Sequence, residues 1–392
     1  MKRVVRWESE ALALAQEIVR LPSVSGDEEA VAAAVEAEMR LLGYDAVRRD
    51  DLGSVVGVVR GAHPGDTVLI DGHMDTVPPG EVASWTHAPH SGDIEGGRLW
   101  GRGAVDVKGS LAAAIVAVGS LDRERLAGVV VVSASVGEEM LEGVALGRVV
   151  DVHPADSVVI CEPTGLRLGI GHKGRTALVL TAHGRPAHSA HPERGDNAVY
   201  RMIDAVARVR ALPAHRDEIL GAGVMELVEM VSEPLPGTSI VPWGCRARFD
   251  RRLVRGETAA SVLAEVRGAL APLGPRVDVA LHRAPLACYT GASFEVEDFR
   301  PAWALDEGSD TVRQARAALR EAGLPDATWL APYSTNGAAS AGERGIATLI
   351  YGAGEITHAH VADESVEIDA LEAAFRGYRA LALALAAPGD PA

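Results

Sequence analysis

Three short apolar runs in this chain each stop at residues that do chemistry, and this pattern constrains the fold more than any other feature. Thr67-Val68-Leu69-Ile70 runs into Asp71-Gly72-His73-Met74-Asp75, residues 129–135 run into Gly137-Glu138-Glu139, and Ser157–Cys161 runs into Glu162-Pro163-Thr164. Such runs read as buried strands. Helical segments alternate with them, over 110–121 and 143–150. Strand–helix alternation implies a largely parallel sheet, whose ligands sit beyond the carboxyl ends of the strands. A neutral imidazole such as His73 is a good ligand for zinc or a similar divalent ion. A carboxylate two residues on, Asp75, can reach the second ring nitrogen and fix its aim. Taken singly, each stretch also reads as ordinary structure: a solvated His, a solvated helix start at Glu138-Glu139, a turn at Glu162-Pro163. Three strand ends that all deliver His or carboxylate are hard to obtain from solvated loops.

Around these strands the chain divides in two. Residues 7–20 carry Leu12, Ala15, Ile18 and Val19 at helical spacing. Ser25-Gly26-Asp27-Glu28 has the form of a capping box, with Ser25 as N-cap, opening a helix that ends near Gly43. Short strands follow at 45–48 and 55–60. Residues 76–105 are rich in Pro, Gly, Trp and His and predict a long loop, a feature that is usually functional. From Gly174 the pattern changes to a strand at 176–182, a helix at 197–212, strand pattern within 239–253, a helix at 257–273 and a strand at 277–281. This order suggests a βαββαβ sandwich. The first pattern then resumes with a helix at 310–322, the strand Ala347–Tyr351, a loop through His358 and His360, and a helix at 369–385. The expected architecture is α/β: a mostly parallel sheet flanked by helices, built from residues 1–173 and 286–392. A ferredoxin-like α+β domain is inserted at 174–285.

A chain of 392 residues is long enough for two such domains. With 47% hydrophobic and 23% charged residues it is globular rather than disordered. A net charge of −16 opposes nucleic acid and anionic membranes as partners. Cys161, Cys245 and Cys288 form no CxxC pair, which argues against a disulfide framework and fits a reducing cytoplasm. The charged Met1-Lys2-Arg3-Val4-Val5-Arg6 is followed by no signal-length apolar core. No stretch has the roughly 18 uncharged apolar residues that span a bilayer.

The candidate site residues are His73, Asp75, Asp106, Glu138, Glu139, Glu162 and His360. They are too many for a closed structural zinc site, which takes four ligands and often Cys. They suit two divalent ions about 3.5 Å apart sharing a bridging carboxylate. Glu138 and Glu139 would repel each other if buried without cations. With metal present, one can ligate while its neighbour activates bound water.

Asp71-Gly72-His73-Met74-Asp75-Thr76-Val77-Pro78, Gly101-Arg102-Gly103 with Asp106, Lys108 and Gly109, Gly137-Glu138-Glu139, Cys161-Glu162-Pro163-Thr164 and His360-Val361-Ala362-Asp363-Glu364 together resemble a known family. It is the co-catalytic zinc family of acetylornithine deacetylase, succinyl-diaminopimelate desuccinylase, aminoacylase and glutamate carboxypeptidase. Asp250-Arg251-Arg252-Leu253 and Ser334-Thr335-Asn336-Gly337 resemble a less characterised hydrolase branch linked to selenium metabolism. The resemblance implies one metal on His73 and Glu162, a second on Glu139 and His360, and Asp106 bridging them. It makes Asp75 the orienter of His73 and Glu138 the general base. His358 competes with His360, but the family's His-x-x-(Asp/Asn)-Glu pattern fits His360. The resemblance also implies a cis Asp106–Val107 peptide and a His188 that reaches an active site, often that of a partner subunit, to stabilise the oxyanion. It implies that Arg252 pairs with a substrate carboxylate and that Asn336 orients substrate or its surroundings.

The implied enzyme is a dimeric hydrolase that uses two divalent ions, zinc with cobalt or manganese as substitutes. It cleaves the amide bond of an N-acyl amino acid or short peptide. A dipeptidase or carboxypeptidase, or a relative that binds metal without turnover, are the alternatives. Hinges near Gly174 and Pro285 would let the insert close over the site.

Overall fold

The computed structural model describes residues 2–388, with side chains from Trp7 onward. A nine-stranded sheet forms its spine, centred on four neighbouring parallel strands: Ala127–Ser135, His63–His73, Ser157–Cys161 and Ala347–Tyr351. Val55–Arg60 and Ala46–Arg49 extend one edge antiparallel. Leu168–His172 and Trp303–Ala304 extend the other, and Thr328–Ala331 lies parallel to Leu168–His172.

Side chains of the central strands alternate across the sheet. Val68, Ile70, Val130, Val132, Val159 and Cys161 enter one core. Leu69, Val131, Val158 and Ile160 enter the other. Both faces are covered, so the strands read as unbroken apolar runs with no period-two alternation. The helix Lys108–Gly119 lies between Lys2–Val19 and Ile368–Leu385, with every residue but the last buried, hence its lack of a polar stripe. Val144–Val152 covers the opposite face through Leu146, Val149 and Val150. In register, His73 lies beside Ser135 and Asp71 beside Ile160. The ends of the three strands singled out by sequence therefore emerge side by side.

A second, antiparallel sheet runs in the order Val224–Glu233, Gly244–Leu253, Gly174–His183, Val277–Leu281. Helices Ala198–Arg210 and Ala259–Leu270 pack on it around a separate core that includes Leu178, Met202, Phe249 and Val266. The chain order is βαββαβ. Asn197 caps the first helix by accepting from Val199 N at 2.9 Å.

Four features depart from the sequence reading. The return from the insert is spread out rather than placed at residue 286. A hairpin of Arg283–Ala287 and Ser293–Glu297 sends Leu286 and Cys288 into the central core. Phe299–Arg300 then pairs back onto Gly174–His183 before Trp303–Ala304 rejoins the main sheet. The loop 76–105 contains two strands, Asp93–Glu95 and Arg98–Trp100, joined by Gly96 and Gly97 at φ +60° and +75°. Two adjacent left-handed residues are what a tight two-residue hairpin requires. Ser25 is not an N-cap: the helix begins at Glu29, its cap residue is Glu28, and no side chain bonds that end. Val224–Glu233, Leu168–His172 and Thr328–Ala331 carry no clear strand pattern in the sequence. Among the described residues no helix is long and apolar enough to cross a membrane.

Candidate metal centre and active-site cleft

The strand His63–His73 delivers His73 to the carboxyl edge of the sheet, where the ring is almost fully buried. Its Nδ1 bonds the backbone carbonyl of Asp75 at 2.8 Å, with the Asp75 carboxylate further off at 3.4 Å. With Nδ1–H donating to that carbonyl, the bare Nε2 faces the cluster. Asp75 thus aims His73 mainly through its backbone. Its carboxylate accepts from Glu138 N and Glu139 N, each at 3.1 Å, and from Ser25 Oγ at 2.6 Å. The Asp75 carboxylate thus stands beside the imidazole, as the sequence reading expected, and also holds the next strand's terminus.

Nε2 of His73 is 3.1 Å from Asp106 Oδ1, 3.9 Å from Glu138 Oε2 and 4.0 Å from Glu162 Oε1. The other Asp106 oxygen is 3.1 Å from Nε2 of His360, which is 3.0 Å from Glu139 Oε1. His73, Glu138 and Glu162, and likewise His73, Asp106 and Glu139, each bring ligand atoms within 4.8 Å of one another. His360 adopts a left-handed φ of +61° at its loop position. The competing His358 lies in a different depression, with Arg98 and Leu166.

Asp106 is held from behind. The buried Glu364 accepts from the backbone N–H of Gly103, Val105 and Asp106 through one oxygen, and pairs with Arg102 through the other. The Asp106–Val107 peptide is cis.

Electrostatics mark the cluster as a cation site. Burial pushes the Glu138, Glu162 and Glu139 carboxyls up from their ordinary range, and neighbouring carboxylates push them further. Asp106 and Glu139 hold the His360 imidazole up to about 10. Burial alone would lower His73, but Asp106 and Asp75 raise it well above its usual value. Burial would raise Asp106 and Asp75, yet their imidazole partners and hydrogen bonds bring both below the usual carboxylate range. Four carboxylates and two imidazoles thus crowd one confined space. A donor set of carboxylate oxygens and imidazole nitrogens fits two hard-to-borderline divalent cations.

The cluster opens into a cleft of about 430 Å³. Arg252 lines it, one third exposed, with Nε 3.1 Å from Asp250. Tyr333 and Ser334 lie on the wall. Sequence reasoning missed Glu142 and Arg175 there. Arg175 Nη1 contacts both Glu142 oxygens, at 3.0 and 3.2 Å, and Asp250 and Asp298 each lie 3.6 Å from the same guanidinium. Glu142 follows Glu138-Glu139 and Arg175 begins the second sheet, so this network ties the two sheets together at the cleft.

Two expected site residues do not face this cleft. Asn336 is buried behind it, donating to Asp71 Oδ2 at 2.7 Å and Ser135 Oγ at 3.1 Å and accepting from Gly143 N at 2.6 Å. Its amide is occupied by the sheet ends, leaving nothing to offer a substrate. His188 stands in an exposed loop of the second domain, its Nδ1 accepting from Ala190 N at 3.0 Å. It is absent from the lining of its own chain's cleft.

A model of peptidase family M20/M25/M40 matches residues 69–384. The chain is 28% identical over 379 residues to the Escherichia coli K12 protein called uncharacterized protein YgeY, covering 93% of this chain and 91% of that one. It is 31% identical over 283 residues to a succinyl-diaminopimelate desuccinylase of Methylorubrum extorquens PA1, covering 65% of this chain and 71% of that enzyme. The Bacillus subtilis YXEP protein, described as a dinuclear metal binding peptidase from the M20 family, shares the fold. Its TM-score is 0.70 at 13% identity, over 97% of this chain and 99% of that one. The chain therefore belongs to peptidase family M20/M25/M40, a family of metal-dependent hydrolases of amide and peptide bonds.

Proposed function

We propose that this protein cleaves the amide bond of an N-acyl amino acid, as a deacylase of the deacetylase or desuccinylase kind, with two divalent ions per subunit. One observation carries the reading: the two oxygens of Asp106 stand 3.1 Å from the inward nitrogens of His73 and His360, with three more carboxylates beside them. In this reading His73 and Glu162 would hold one ion and Glu139 and His360 the other, with Asp106 serving both. Zinc is the proposed ion, with cobalt or manganese as substitutes. Two such ions supply an acidified water and a polarised carbonyl.

Glu138 takes the proton from the attacking water and passes it to the departing amine. Its carboxylate is buried, enters the same space as the ligand atoms, and borders the cleft, as that role requires. Arg252 pairs with the substrate carboxylate, for which a guanidinium is the matching partner. His188 acts on a second copy of the chain, donating to the developing oxyanion. A homodimer is supported by Val224–Glu233, the edge strand of the second sheet, which exposes Val224, Val228 and Met230. Residues 174–285, with Phe299–Arg300 paired onto their sheet, serve as the dimerising lid, closing on a catalytic unit drawn from 1–173 and 286–392 about hinges near Gly174 and Pro285. Three buried cysteines, all free, support a reducing, cytoplasmic setting. The charge of −16 supports a small-molecule substrate over nucleic acid or a membrane.

A dipeptidase or carboxypeptidase is the second reading; the dipeptidase is favoured by the acidic Glu142 and Asp250 in the cleft, which offer a free amine a partner. Both already face Arg175, which weighs against it. The test is hydrolysis by metal-depleted protein titrated with zinc, cobalt or manganese. The panel holds N-acetyl, N-succinyl and N-formyl amino acids and dipeptides. Activity returning at about two ions per chain supports the reading, and preference for dipeptides would overturn the deacylase assignment. Glu138→Ala should abolish turnover at unchanged metal content; loss of both would make Glu138 a ligand.

A further inference from the structure

The segment 21–28, Leu-Pro-Ser-Val-Ser-Gly-Asp-Glu, is neither strand nor helix, yet it is fastened to three of the segments that carry the acidic cluster. Ser23 Oγ donates to Met74 O at 2.7 Å, and Ser23 O accepts from Thr76 N at 2.8 Å. Ser25 Oγ donates to the Asp75 carboxylate at 2.6 Å. Glu28, with no exposed surface, accepts from Gly26 N at 3.0 Å and from Gly137 N at 3.2 Å through one oxygen. Lys108, also fully buried, donates from Nζ to Leu21 O at 2.7 Å. The strap thus reaches the residues after His73, the residue before Glu138, and the start of the helix after Asp106.

We propose that Ser25 and Glu28 are positioning residues for hydrolysis. Ser25 sets the rotation of the Asp75 carboxylate, and Asp75 in turn holds the backbone N–H groups of Glu138 and Glu139. Glu28 holds the N–H just before them. Gly137 sits at φ +67°, so this turn is left-handed and needs external partners to keep one geometry. Neither side chain touches the cluster itself. Their effect is on where Glu138 and Glu139 stand, and small displacements of a general base or ligand lower turnover steeply. The two carboxylate-bearing residues immediately after this turn are those to which the proposed function gives proton transfer and metal ligation, so this inference rests on that reading.

The experiment uses the full-length, metal-loaded protein with Ser25→Ala, Ser25→Thr, Glu28→Ala and Glu28→Gln. Ser25 is half-buried and Ala removes only its hydroxyl, so that variant should fold. The expected result for Ser25→Ala is a fall in kcat, metal affinity, or both of roughly 10–100-fold, as for other groups that orient metal ligands. KM should stay within about twofold, with an altered visible spectrum of the cobalt form. Ser25→Thr, which keeps the hydroxyl, should recover most of the loss. Glu28→Gln keeps an acceptor for Gly137 N and should recover most of what Glu28→Ala loses.

A Ser25→Ala protein with wild-type kcat, metal affinity and cobalt spectrum overturns the proposal, whatever happens to its Tm. A lower Tm with metal affinity and turnover per metal-loaded molecule both unchanged overturns it too, because that is the signature of a purely structural strap. If wild type itself hydrolyses nothing on the panel, the deacylase reading fails. The metal-affinity and cobalt-spectrum comparison still decides the role of the strap.

Discussion

Replacing Asn336 with Ala should cost stability rather than substrate affinity. Asn336 is 2% exposed and joins three sites that are far apart in sequence. Its Nδ2 donates to Asp71 at 2.7 Å and to Ser135, and its Oδ1 accepts from Gly143 N at 2.6 Å. Those partners lie at the end of the His73 strand, at the end of its neighbour, and at the N-cap of Val144–Val152. The variant removes one hydrogen bond to a carboxylate, worth about 1.5–3 kcal/mol, and leaves the Gly143 N–H without its acceptor, a further ~1–3 kcal/mol. Ser135 Oγ keeps its contact with Asp71 and adds little to the loss. The total is roughly 2.5–6 kcal/mol, on the order of 5–12 °C in Tm at about 2 °C per kcal/mol.

The assay pairs urea and thermal unfolding with steady-state kinetics on the best substrate of the panel. Asn336→Ala should unfold earlier, with KM within about twofold of wild type for the folded fraction. Asn336→Asp should be worse, because it sets a second carboxylate against Asp71, whose own carboxyl burial already pushes up to about 6. An unchanged Tm with KM raised tenfold or more would refute the reasoning and return Asn336 to the substrate.

Three further outcomes are expected. Burial pushes the His172 imidazole down to about 3, so the folded protein keeps it neutral while the unfolded chain takes up a proton near 6.5. That stability is complete above pH 6.5 and falls by up to about 1.4 kcal/mol per pH unit as pH drops toward 3. The urea-derived advantage of wild type over His172→Gln should therefore shrink on acidification, and an advantage independent of pH would contradict it. Arg252→Met should raise KM for substrates bearing a free carboxylate roughly 10–100-fold, by loss of a charge-assisted pair, and leave their amidated analogues unaffected. Metal loading should release about one proton or more per chain at neutral pH, because Asp106 and Glu139 hold the His360 imidazole up to about 10 and a ligating imidazole must shed that proton. Calorimetry in buffers of different ionisation enthalpy reads that number directly. Metal affinity should weaken by about tenfold per pH unit for each proton displaced.

The candidate ligands were legible because their position obeys local rules. A β-rich run predicts a strand, parallel strands end together, and the residues after each run arrive at one edge. His73, Glu138, Glu139 and Glu162 need no more than that, and their neighbourhood in space comes from the order of the central strands. Asp106 and His360 come from loops, where no strand end marks them, and the resemblance to a family gave them their roles. For Asn336 the resemblance left substrate or its surroundings open, because proximity in a motif does not say which way a short amide points, and the structure turns it to the surroundings. Its three partners lie 265, 201 and 193 residues away.

Ser25 and Glu28 show most directly why the support of a site escapes a sequence reading. Ser-x-x-Glu before an apolar helix is the pattern of reciprocal capping, in which each side chain bonds the other's backbone within four residues. That local arrangement competes with whatever the folded chain brings close. Here Asp75 offers Ser25 a carboxylate at 2.6 Å and Gly137 offers Glu28 an N–H at 3.2 Å, from 50 and 109 residues away. A hydrogen bond to a buried carboxylate is worth more than one to an exposed helix end, so the distant partners win and the helix starts without a side-chain cap. The helix tolerates this because Val31, Ala32, Val35 and Met39 bury its apolar face in the central core. A capping signal beside a conspicuous cluster of ligands is thus ambiguous by construction: the donors and acceptors that would close the helix are the ones that an adjacent buried site can recruit.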